Sequence, residues 1–482
     1  MKSLEILSLN TNKLQGEIPV SFGNICTLQE LHLDNNNLSG EISNFIQNSS
    51  WCNRHVFQIL DLSHNKIGGN LDNLSICSSL RMLDLSNNQL KGEIPKSIGL
   101  LDELEELHLK ENYFEGDVNE LHLTNLSKLE KLDLSDNSLS VRFGTTWIPT
   151  FQLVYLRLAS CKLCPSFPSW LHTQGYLNCL DISDTEIDDY VPDWFWNKLQ
   201  SIREMNISYN SLKGITCRGI PTCLRNFTTM MEKGVVKSEG VYRGGYAIYD
   251  SNVLLMWKGQ EHMYWNPENF LKSIDLSSND LTGEIPKEVG YLLGLVSLKL
   301  SRSNLGGEIP CDIGSLILLE FLDLSRNQFS GKIPSALSKI DRLAVLDLSN
   351  NFLIGRIPWG RQLQTFDASS FEGDLDLCGE QLNKSCLGDN TTTKPQGVAN
   401  YEDDNSLFYE ALYMSKGLGF FTDYIILMVE VNPSAAGSSR TSSYFSKKRL
   451  FVMLGRNYSW CALFRVVLQY YSYASVPATE AI

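Results

Sequence analysis

One feature limits the folds open to this chain: a unit of the form Leu-x-x-Leu-x-Leu-x-x-Asn-x-Leu-x-Gly-x-Ile-Pro that recurs thirteen times. The units start at Leu4, Leu28, Phe57, Leu80, Leu104, Leu129, Leu153, Leu177, Ile202, Leu271, Leu295, Leu319 and Leu343. Most steps are 23 to 25 residues, but the step after Leu28 is 29 and the step after Ile202 is 69. A unit this short cannot bury a core alone, so neighbours must stack. The leucines at positions 4 and 6 alternate as a short strand requires, and stacked strands of this kind line one concave face. The Asn at position 9 stands where the chain must turn. Its amide can donate to and accept from backbone groups of adjacent coils that would otherwise be buried unpaired. Ten units keep it, at Asn12, Asn36, Asn65, Asn88, Asn112, Asn137, Asn210, Asn279, Asn327 and Asn351, while Cys161, Thr185 and Ser303 replace it. In the Gly-x-Ile-Pro half, glycine permits a tight turn and proline fixes φ without donating to a ladder. That half is complete at Gly16–Pro19, Gly92–Pro95, Gly283–Pro286, Gly307–Pro310, Gly331–Pro334 and Gly355–Pro358.

Asp61, Asp84, Asp133, Asp181, Asp275, Asp323 and Asp347 recur at one outward position. The expectation is a repeated, solvated row and not a carboxylate site. A net charge of −14 repels phosphate backbones and argues against nucleic acid as a partner. Twelve cysteines suit an extracellular protein with stapled caps. Sequons at Asn37, Asn48, Asn73, Asn125, Asn206, Asn226, Asn383, Asn390 and Asn457 favour the secretory route, and all but Asn457 are candidate glycosylation sites. Cys26 with Cys52, and Cys217 with Cys223, flank irregular segments and are candidate disulfides. Cys161, Cys164, His172 and Cys179 have zinc-site chemistry, but Cys161 occupies the ladder position, where a small buried side chain is expected, so no metal is assigned. Phosphate-loop, kinase, nucleophile-elbow and zincin motifs are missing, so neither an enzyme nor a cofactor is expected.

The Gly-x-Ile-Pro half resembles the plant-specific class of leucine-rich repeat, which implies a second short strand on the flank of each coil. The fold class is therefore an α/β solenoid, a superhelix with a parallel β-sheet on its concave face, interrupted by an island. The interruption runs from Asn226 to Phe270, rich in glycine and aromatic residues. Arg225-Asn-Phe-Thr-Thr-Met, spaced tyrosines, Trp257-Lys-Gly-x-Glu261 and Lys272-Ser-Ile-Asp-Leu-Ser-Ser-Asn279 resemble the island and following repeat of plant leucine-rich-repeat receptor-like proteins, most of all the ethylene-inducing-xylanase receptor group. The likeness covers roughly Met1 to Cys386. It implies ligand recognition through the island, with Tyr242, Tyr246, Tyr249, Trp257 and Lys258 as candidates. It also implies contact between the last repeats and a co-receptor kinase of the somatic-embryogenesis type, with Lys299 and Arg302 as candidates. Gln362-Leu-Gln-Thr-Phe366 through Leu377-Cys378-Gly379 resembles the family's C-terminal cap, which implies a Cys378–Cys386 bridge.

The expected organisation is a first repeat block at 1–225, an island at 226–270, a second block at 271–360 and a cap at 361–388. An acidic juxtamembrane-like linker follows at 389–416, then a degenerate membrane or tail segment at 417–482, where Asp423 and Glu430 interrupt the apolar run. Repeat sequence begins directly after Met1, so a partial receptor is expected, without leader or N-terminal cap. The functional expectation is a kinase-less cell-surface receptor-like protein in the plasma membrane that binds a protein, peptide or glycan and signals through adaptor and co-receptor kinases in plant defence. The alternatives are a secreted inhibitor of microbial wall-degrading enzymes and a non-functional receptor fragment.

Overall fold

The structure is a computed structural model and describes residues 4–46, 52, 55–72, 74–214, 222–232, 253–257, 260–264, 272–386, 424–431 and 448–455. Each of the thirteen units forms one strand of the concave sheet. In chain order these are β1 (Leu4–Ser8), β2 (Glu30–His32), β3 (Ile59–Asp61), β4 (Met82–Asp84), β5 (Glu106–His108), β6 (Lys131–Asp133), β7 (Tyr155–Arg157), β8 (Cys179–Asp181), β9 (Glu204–Asn206), β10 (Ser273–Asp275), β11 (Ser297–Lys299), β12 (Phe321–Asp323) and β13 (Val345–Asp347). All thirteen run parallel, each beside its sequence neighbour. Strands Tyr424–Val431 and Lys448–Gly455, from the segment read as membrane or tail, pair with each other, and the first also runs antiparallel to β1.

Inward leucines fill one continuous core: Leu31, Leu60, Leu83, Leu107 and their successors through Leu322 are almost wholly buried. On the convex side short 3₁₀ turns follow the prolines, as at Lys96–Leu100, Lys287–Tyr291 and Ser335–Lys339. The flank carries the second strand that the plant class implies. Thr282–Glu284, Asn304–Glu308, Gln328–Lys332, Phe352–Arg356 and Asp376–Cys378 form one parallel side sheet. The glycines of all six complete Gly-x-Ile-Pro halves have positive φ, for example 73° at Gly307, where a Cβ would also meet Glu284.

The Asn ladder ties coil to coil. Asn88 Nδ2 donates to the carbonyls of Leu62, Leu85 and Ser86, and its Oδ1 accepts from Ile67 N–H. Asn112, Asn137, Asn327 and Asn351 repeat the arrangement. At the exceptions, the Cys161 thiol donates to Leu134 O and the Thr185 hydroxyl to Ile182 O, whereas the Ser303 hydroxyl is buried with no partner. The residue before each ladder position is left-handed in all thirteen coils, from Thr11 to Asn350. Sequence reading did not anticipate this turn, because none of these residues is glycine.

The long step does not break the sheet. β9 pairs directly with β10, Glu204 facing Ser273, and Asn279 reaches across to Ile207 O and Leu212 N–H. The first residues of the segment expected as the island are described as part of the solenoid. Asn226 ends a 3₁₀ turn, Thr228–Met231 is helical, and Phe227 and Met230 are fully buried. These residues complete the convex side of the ninth coil. Lys272 Nζ donates to Thr229 O and to Glu232 O at 2.7 Å, so the chain returns close to where it left.

Candidate functional site: the concave face

The outward position of each concave strand forms a row in register: Ser8, His32, Asp61, Asp84, His108, Asp133, Arg157, Asp181, Asn206, Asp275, Lys299, Asp323 and Asp347. The expectation of a solvated acidic row needs correction on two counts. First, these carboxylates are largely covered, Asp84 at 1% and Asp133 at 4% exposure. Their Oδ1 atoms accept the N–H of the serine two residues on, and in several coils its hydroxyl too, as in Asp181 with Ser183 and Asp323 with Ser325. The Asp-x-Ser pair thus caps its own turn. Second, basic residues interleave the row. Arg157 lies over the Tyr155 ring at 4.7 Å and pairs with Glu204 at 3.1 Å. Burial acts to lower the Arg157 pKa, but the surrounding Cys179, Tyr155, Glu204 and Asp133 raise it overall.

Lys299, expected at a partner contact, occupies this row. Its Nζ pairs with Asp275 Oδ2 at 3.3 Å and lies 5.1 Å from the Phe321 ring centroid. Arg302 is exposed at a left-handed turn residue, and its N–H donates to Ser325 O. Tyr242, Tyr246, Tyr249 and Lys258 lie outside the described residues. Trp257 ends a strand, Val253–Trp257, that pairs antiparallel with Gln260–Tyr264.

Cys26 and Cys52 are bonded across the 29-residue step, and Cys378 is bonded to Cys386 in the cap. Cys217 lies outside the described residues, and only the backbone of Cys223 is described, at Thr222–Asn226. Among the sequons, Asn125 and Asn383 are exposed, while Asn37 and Asn226 are half-buried. The Asn206 amide is engaged within the concave row, donating to Asp181 Oδ2 and Ser183 Oγ. Asn48, Asn73, Asn390 and Asn457 lie outside the described residues.

Cys161 and Cys179 are buried thiols with raised pKa values, and burial pushes Cys161 up to about 12. Among the described residues, only His32, Asp34 and Asp61 bring three metal-ligating groups together, their atoms within 4.8 Å. Burial first, then the charge of Asp34, pushes Asp61 up to about 7. Near the cap, a cavity of about 1120 Å³ opens between the end of the concave sheet and the segment 362–370, with Glu320, Phe321, Asp341, Arg342 and Asp347 in its wall.

The fold and this face define the class: a leucine-rich-repeat solenoid. The Leucine Rich Repeat family profile matches residues 3–25, 27–49, 79–101, 270–292 and 318–340, and a second such profile matches 55–70. Within that class the chain is related to the leucine-rich-repeat receptor-like proteins of plants. It is 33% identical over 179 residues to Receptor-like protein EIX2 of Solanum lycopersicum, covering 36% of this chain and 17% of the relative. It is 29% identical over 289 residues to Receptor-like protein 32 of Arabidopsis thaliana, covering 59% and 32% respectively. The chain thus spans about a third or less of these curated relatives. Among solved structures, the ectodomain of the Arabidopsis receptor kinase HAESA, in complex with an extended IDA peptide hormone, superposes with a TM-score of 0.58 at 29% identity. That match covers 80% of this chain and 55% of the ectodomain. Among the described residues no helix is long and apolar enough to cross a membrane.

Proposed function

We propose that this chain is the ligand-binding part of a kinase-less receptor-like protein that faces the outside of the cell. It would bind a protein, peptide or glycan and signal through partner receptor kinases in plant defence. The observation that carries this reading is the concave sheet, which runs in register from β9 to β10 past a long insertion. A scaffold that keeps its concave face continuous while accommodating a long insertion is suited to recognition. The relation to receptor-like proteins supports the same reading, as does the fold shared with an ectodomain solved with its peptide hormone. The island residues Tyr242, Tyr246, Tyr249, Trp257 and Lys258 remain the candidates for ligand contact. Arg302 is the better candidate for partner contact, because Lys299 is already held by Asp275.

The test is expression of the full tagged chain in leaf cells, followed by surface labelling and co-precipitation of receptor kinases with and without elicitor. Surface labelling with elicitor-dependent kinase capture is expected. Recovery only in the extracellular wash would favour the secreted inhibitor, and retention inside the cell would refute the reading.

A further inference from the structure

The concave sheet stops one coil before the side sheet does. The side sheet gains Asp376–Cys378 beside Phe352–Arg356, but among the described residues no strand pairs with the outer edge of β13. Val345 N–H donates to Glu320 O, and Asp347 O accepts from Leu324 N–H, so these two residues face β12. Parallel-strand alternation then turns the N–H and C=O of Leu346 outward, toward the cavity. The cap's turn Ala368–Phe371 packs near β13, but its backbone hydrogen bonds to the chain fall beyond the strand, where Leu348 N–H donates to Ser370 O and Asn350 N–H to Glu372 O.

The charge at this edge is one-sided. Glu320, Asp341, Asp347 and Asp367 share the cavity wall with a single guanidinium, Arg342. None of the four carboxylates forms an ion pair among the described residues. The row adds a second, independent asymmetry. Asp61 lies beside His32, Asp84 beside His108, Asp133 and Asp181 beside Arg157, and Asp275 and Asp323 beside Lys299. Asp347 is the one carboxylate of the row with no basic neighbour in register; its only described neighbour is Asp323.

We propose that this edge binds an extended peptide segment, which adds alongside β13 as a fourteenth strand and sets a lysine or arginine beside Asp347. Main-chain hydrogen bonds to Leu346 would supply the strand pairing, and the acidic wall would select the basic side chain. Phe321 and Phe366 offer apolar surface to its flanking residues. The inference goes beyond the receptor reading and stands or falls independently of signalling.

The test uses the purified full chain and fluorescence anisotropy of labelled hexapeptides. The probes are Gly-Val-Arg-Val-Lys-Gly, the acidic Gly-Val-Glu-Val-Asp-Gly, and the basic peptide N-methylated at alternate residues. Saturable binding of the basic peptide is expected, with the acidic and N-methylated forms each weaker by about tenfold or more. The double variant Glu320→Gln with Asp347→Asn should lose a similar factor, whereas Glu17→Gln, on an exposed distant coil, should bind as wild type. The N-methylated arm needs no variant, so poor folding of the double variant would not mask the result. Equal binding of the N-methylated peptide, undiminished binding by a folded double variant, or no binding of the basic peptide at millimolar concentration would each overturn the proposal.

Discussion

The ladder asparagine does its work by geometry that Cys161, Thr185 and Asp374 reproduce only in part. One amide fills three carbonyls and one N–H that would otherwise be buried between coils. Asn112→Ala should therefore destabilise by about 1–3 kcal/mol, measured by urea unfolding. Ser303 offers the reverse experiment, because its hydroxyl has no partner in a site shaped for an amide. Ser303→Asn should raise stability by about 1 kcal/mol, and an unchanged midpoint would show that the coil there has relaxed around serine. Asp374 continues the ladder into the cap: Oδ1 accepts from Leu353 N–H, but Oδ2 is buried without a partner. Burial pushes this carboxyl up to about 6. Its native pKa lies above its unfolded one, so the folded state holds the proton more tightly. Stability therefore falls as pH rises from about 4 to 6. Asp374→Asn should remove that share of the pH dependence and gain about 1–2 kcal/mol at pH 7, since an amide keeps the acceptor and supplies a donor. Parallel stability–pH curves for variant and wild type would refute the assignment.

At the scale of elements, the two disulfides close loops of different size. The Cys26–Cys52 bridge spans 26 residues and ties the irregular step after β2 to the preceding coil, where Cys52 N–H also donates to Gly23 O. On chain-entropy grounds its removal should cost about 3.5 kcal/mol, against about 2.5 for the 8-residue Cys378–Cys386 loop. Paired serine variants followed by denaturant titration would check the order, and a larger loss at the cap would contradict it. The side sheet shows how local chemistry and stacking agree. Glycine at positive φ sits inside the second strand, as Gly307 does in Asn304–Glu308, and proline follows it before the 3₁₀ turn, as Pro310 does before Cys311–Ser315. The left-handed residue before each ladder position is a different case. Arg302, Arg326 and Tyr209 adopt it although their side chains do not favour it. The stacked coil imposes the turn, which explains why single-residue preference did not reveal it.

For the whole molecule, the prediction is that the solenoid folds without the insertion. The coil before the insertion is finished by Phe227 and Met230, and Glu232 lies against Lys272. Replacing residues 234–270 with a short Gly-Ser linker should leave cooperative thermal unfolding within a few degrees of wild type. Loop length itself costs little, about 0.6 kcal/mol per doubling. The same replacement should abolish ligand recognition if the island carries it. Unfolding of the shortened chain would instead show that the island packs as a structural part.

The repeat period, the inward leucines, the Asn ladder and the glycine–proline half determined the solenoid from sequence alone, because each acts through neighbours a fixed distance along the chain. Register between coils was decided only in three dimensions. It made Asp84 and Asp133 covered turn caps, turned Lys299 from a free cation into the partner of Asp275, and moved Phe227 and Met230 from the island into the core. It also left Asp347 on the strand that ends the concave sheet among the described residues. These outcomes depend on which side chain of one coil lies against which of the next, and that pairing is a property of the stacked molecule.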